Sequence, residues 1–133
     1  MRTARLIAPL LLFVSISCSN DVETPTTPGP PVRLTFAIAT TSSHTIRAVK
    51  LTFDGQDVTT VRVPGGGGHV SLEGLVSANK GPHVVRLVIL EQASSPNQYY
   101  GSGAVTAPGR ILDLVLVDGL LATGQALEFR FIL

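Results

Sequence analysis

From Val32 onward, apolar and polar side chains alternate with a period of two, the pattern of strands that bury one face. Val32, Leu34, Phe36 and Ile38 share one face, with Arg33, Thr35 and Ala37 on the other. A second run, Arg47 to Phe53, sets Val49, Leu51 and Phe53 against Lys50 and Thr52. It ends in Asp54-Gly55, a pair that tolerates positive φ and predicts a hairpin returning through Gln56 to Val63. Pro64 to Gly68 reads as a mobile loop by composition. His69 to Leu75 is a short strand with Val70 and Leu72 as its apolar members.

In the stretch from Gly81 to Gln92 both faces are largely apolar: His83, Val85, Leu87 and Ile89 on one, Val84, Arg86, Val88 and Leu90 on the other. Such a strand belongs in the middle of its sheet, covered more fully than its neighbours. Tyr99 to Thr106 is a weaker strand interrupted by glycines, and Ile111 to Val117 is apolar but for Asp113. The chain closes on Leu127, Phe129, Phe131 and Leu133, alternating with Glu128 and Arg130. No useful length after the first seventeen residues has a 3.6-residue period, so almost no helix is expected there. Seven or eight short strands predict an all-β protein, an antiparallel sandwich rather than a small barrel.

The N-terminal 31 residues have a different texture. Arg2 and Arg5 precede a mostly apolar run from Leu6 to Ile16, and small residues follow. That three-part shape is an export signal, and the run is too short, and broken by Pro9, for a spanning helix of about 20 apolar residues. The only cysteine, Cys18, stands at its end. Val14-Ser15-Ile16-Ser17-Cys18 resembles the lipobox of bacterial lipoproteins, in which a small residue precedes a cysteine that is lipidated on sulfur and becomes the mature N-terminus. The resemblance implies a signal peptide over 1–17, a lipid anchor on Cys18 and a place in the bacterial cell envelope, at an outer-membrane, periplasmic or cell-surface face. Ser19, after the cysteine, leans toward outer-membrane sorting by the same likeness. The competing readings of Cys18 are loss with a cleaved signal and a free thiol; one cysteine excludes an internal disulfide. Each buried methylene contributes about 0.8 kcal/mol, so two or three acyl chains hold such a chain on a bilayer permanently.

Residues 19–31 hold four prolines and three threonines, and Val22 is their one apolar side chain besides the prolines. With Cys18 they form a proline-rich tether over 18–31, whose extended geometry of about 3.1 Å per residue lifts the domain at 32–133 away from the anchor.

Gly81, His83, Val85 and Leu87 look like the turn and sixth strand of bacterial immunoglobulin-like and fibronectin type III-like domains, and "VKLTFDGQDV" looks like the hairpin after their third strand. The resemblance implies an immunoglobulin-like β-sandwich. The cysteine pair and core tryptophan of antibody domains are missing.

Charge and chemistry narrow the function classes. Ten basic and nine acidic residues give a formal charge of +1, and loss of 1–17 turns it to −1. Neither value is the basic footprint of a nucleic-acid binder. His44, His69 and His83 show no i, i+2 or i, i+4 pairing that would aim two rings at one metal, so no metal or other cofactor is expected. His83 reads as a corner residue whose ring bonds nearby backbone. Asp54 and Asp57 bracket a turn, and Asp113 and Asp118 bracket the end of a strand. The glycine run lacks the spacing of a phosphate loop, and Ser102 lacks that of a nucleophile elbow. Tyr99 and Tyr100 point to opposite faces, leaving at most one of these two candidate ligand contacts as a stacking platform for a sugar ring.

The sequence thus favours a non-enzymatic, lipid-anchored protein that shows loops or an edge strand to a protein or polysaccharide partner. A small carbohydrate- or wall-binding module is the alternative, marked by an exposed tyrosine near other aromatics. An enzyme is the third, and it requires two of the histidines and loop aspartates to converge in a concave pocket.

Overall fold

The computed structural model describes residues 29–93 and 95–133. The expected export signal, Cys18 and the expected tether up to residue 28 lie outside the described residues. Eight strands follow in order: β1 (Pro31–Thr40), β2 (Ile46–Phe53), β3 (Gln56–Gly67), β4 (His69–Ser77), β5 (Pro82–Gln92), β6 (Asn97–Ala107), β7 (Arg110–Leu121) and β8 (Ala126–Ile132). No helix occurs among the described residues. The strands make two antiparallel sheets, ordered β4-β1-β6-β7 and β3-β2-β5-β8. Their inner faces meet in one core, as the alternation predicts.

Val32, Leu34, Phe36 and Ile38 of β1 are fully buried against Val49 and Leu51 of β2, Val85, Leu87 and Ile89 of β5, and Leu127 and Phe129 of β8. The Phe36 and Phe129 rings bridge the sheets, centroids 5.0 Å apart and tilted by 59°. This pair explains the glycines of β6. A Cβ on Gly103 would fall 2.2 Å from the Phe36 ring, and one on Gly101 would fall 2.7 Å from Leu127 and 2.9 Å from Phe129. What reads in the sequence as an interrupted strand is a full one, hollowed to admit two rings.

Three other expectations need correction. Pro64 to Gly67 belong to β3 and form a bulge, the register jumping between Ile46↔Gly67 and Ala48↔Arg62. There the Gly66 backbone packs so closely on the His44 carbonyl that a Cβ would lie 2.2 Å from its oxygen. Strand β5 does run between β2 and β8, but β2 is the more deeply covered: on β5 Arg86 is exposed, and Val84, Val88 and Leu90 are only half-buried. Strand β7 continues past both Asp113 and Asp118 to Leu121, so these residues do not bracket its end.

Packing also begins before Val32. Pro31 is the first residue of β1, the Pro30 carbonyl accepts a hydrogen bond from the Ala78 N–H at 3.2 Å, and a Cβ on Gly29 would meet the Ala78 backbone at 2.3 Å. The chain therefore joins the sandwich at the end that carries the turns at 54–55, 78–81 and 108–109, and the loops at 41–45 and 122–125 lie at the other end.

Candidate functional site

The hairpin turn between β2 and β3 takes positive φ at both central residues, 49° at Asp54 and 84° at Gly55, as a tight two-residue hairpin requires. The Asp54 side chain, freed from the turn, reaches β5. Its Oδ1 accepts from the Val84 N–H at 2.9 Å, and the Asp54 N–H donates to the Val84 carbonyl at 2.8 Å. Its Oδ2 lies 2.7 Å from His83 Nδ1, and His83 Nε2 lies 2.7 Å from the Asn79 carbonyl. A carboxylate and a carbonyl can only accept, so both imidazole nitrogens donate and the ring is an imidazolium. Burial opposes that charge. The hydrogen bond to Asp54, the Asn79 carbonyl and the negative charge of Asp54 together outweigh it, and the pKa of His83 is raised above its ordinary 6.5. The ring stacks on Phe53, centroids 5.2 Å apart, and leans on Phe131 at 5.9 Å.

This clasp brings together a histidine and a loop aspartate, beside an open hollow of about 760 Å³ shared with Arg130 and Phe131. The arrangement offers no free ring nitrogen to take a proton, and no serine, threonine or cysteine lines the hollow. Its chemistry is that of a corner brace. The bond from ring to backbone is the role the sequence assigns to His83; the pairing with Asp54, 29 residues away, is not visible there.

The other candidates are dispersed. His44 sits in the β1–β2 loop with φ 63°, and His69 begins β4 at the same end. Asp57 pairs with Lys50 at 3.2 Å. Among the described residues no group of three or more His, Cys, Asp or Glu could hold a metal, and no helix is long and apolar enough to cross a membrane.

Tyr99 and Tyr100 point to opposite faces, as alternation demands. Tyr99 is fully buried and donates to Gln92 Oε1 at 3.0 Å, and burial pushes its phenol pKa up. Tyr100 is 38% exposed on the outer face of the β4-β1-β6-β7 sheet, and none of the described ring contacts includes it. Across this face the residues form rows: His69, Ala39 and Tyr100, then Ser71, Ala37, Ser102 and Val115, then Glu73, Thr35, Ala104 and Asp113. Ser102 shares a shallow hollow of about 380 Å³ with Ser71, Thr35 and Asp113, and no histidine or lysine lines it.

The opposite outer face is charged. Lys50, Arg86 and Arg130 stand on β2, β5 and β8 with Asp57 and Glu128 between them, and Arg62 lies 3.9 Å from Glu91. At one lateral edge, β7 exposes Ile111, Val115 and Leu120, with Val115 78% exposed. The two outer faces and this edge are among the surfaces open to a partner. No family model, no curated protein and no solved structure matches the chain.

Proposed function

We propose that the chain is a non-enzymatic, lipid-anchored protein of the bacterial cell envelope, held in a bilayer by acyl chains on Cys18 and presenting an immunoglobulin-like sandwich to a partner. The observation that carries this reading is where the chain joins the sandwich. Gly29 and Pro30 are seated on Ala78, so the chain enters the sandwich at one end, and the loops at 41–45 and 122–125 lie at the opposite end.

The strand order supports the immunoglobulin-like part. The β3-β2-β5-β8 sheet has the C′-C-F-G order of immunoglobulin variable domains, and β4 beside β1 corresponds to their E and B strands. Strand β6, from a hairpin inserted between β5 and β8, takes the place of strand A. The non-enzymatic part rests on His83, whose two nitrogens are both engaged in bracing a corner. Strand β7 is the edge best suited to a protein partner that adds an extended strand of its own, because it is the outermost strand of its sheet and carries exposed apolar side chains at Ile111, Val115 and Leu120. Among the described residues no other ring packs against the exposed Tyr100, so the glycan reading has less support than the protein one.

The test is growth with labelled palmitate and mass spectrometry of the membrane fraction. The native protein is expected to carry label that Cys18→Ala loses, along with its membrane association. A native protein that stays soluble and unlabelled refutes the anchor.

A further inference from the structure

We infer that the outer face of the β3-β2-β5-β8 sheet holds a binding site for an oxyanion, a carboxylate or phosphate group borne on a larger molecule. Thr52 carries the inference. It points outward from a central strand, yet it is only 7% exposed, and it lines an open hollow of about 560 Å³. Its hydroxyl has no hydrogen-bond partner among the described residues. A covered hydroxyl left without a partner is uncommon and costly, and it marks a place where something else completes the bond.

The charges around it select the ligand. One row across the sheet reads Asp57, Thr52, Arg86 and Glu128. Lys50 stands one pleat to one side on β2, and Arg130 one pleat to the other side on β8, so three cations cross three adjacent strands diagonally past Thr52. Asp57 engages Lys50 at 3.2 Å. Glu128 alone serves both guanidinium groups, Arg86 at 3.0 Å and Arg130 through its other oxygen. Asp54, at the rim, is turned away to His83 and Val84. One carboxylate shared by two arginines leaves a positive charge uncompensated and several N–H donors free. An oxyanion entering the hollow accepts from the Thr52 hydroxyl and from the free guanidinium donors. A cation meets repulsion there, and a neutral sugar leaves the spare charge unused. The site does not depend on the lipid anchor.

The test is calorimetric titration of the full-length chain, purified from membranes in a neutral detergent, with sodium galacturonate and separately with sodium glycerol phosphate. The expected result is one site for at least one probe, with a dissociation constant on the order of 1 mM. The probe that binds identifies the carboxylate or the phosphate as the group recognised. Thr52→Val, which keeps shape and removes the hydroxyl, is expected to weaken that binding about tenfold without lowering the melting temperature. Arg86→Gln is expected to abolish it. Absence of binding by both probes, or Thr52→Val binding as the native protein does, overturns the site.

Discussion

His83 links chemistry to stability most directly. Its pKa is raised in the folded protein, so the Asp54 clasp contributes fully below pH 6.5 and its contribution fades as pH rises through the higher folded value. The native melting temperature is therefore expected to fall between pH 6 and pH 9 by more than that of His83→Gln, read by circular dichroism across the range; parallel curves would show that the ring is neutral. Gly103 offers a second test. With the Phe36 ring 2.2 Å from its would-be Cβ, Gly103→Ala is expected to lower unfolding free energy by about 2 kcal/mol, measured by urea denaturation. Both residues were half legible in the sequence. The corner position of His83 follows from its place after Gly81, and the glycines of β6 are visible as glycines. Their partners come from strands that only folding brings near, and a two-residue period carries no information about them.

At the scale of elements, the alternation of β1, β2 and β8 was enough to place their buried faces, because hydrophobic burial on one side of a pleat leaves a direct trace. Coverage was less legible. Strand β5 looked the most enclosed, yet β2 is, since outward coverage depends on where long side chains reach: Lys50 runs from β2 to Asp57 on β3, whereas Arg86 leaves β5 exposed and turns to Glu128 on β8. Strand β7 shows the opposite error to avoid: an apolar run that lies on an edge. Strand β8 carries Glu128 and Arg130 on its outward face and β3 carries Pro64 and a bulge, devices that discourage edge pairing. Among the described side chains of β7, the charges are Arg110 at its start and Asp113. Val115→Lys is expected to reduce concentration-dependent self-association in sedimentation velocity and to leave stability within about 0.5 kcal/mol of native. Equal self-association of the two proteins would mean that this edge is not adhesive.

For the whole molecule, the two sandwich layers could be expected from the count and spacing of strands, but the order within each sheet could not, because several topologies bury the same faces. The first described strand, β1, lies inside its sheet, bonded to β4 on one side and β6 on the other. Tension applied through residues 29 and 30 runs along that strand, so it loads both ladders in shear, many hydrogen bonds sharing the force at once. An outermost strand pulled sideways would instead unzip one bond at a time. A sandwich pulled through an interior strand resists a steady tug at that point.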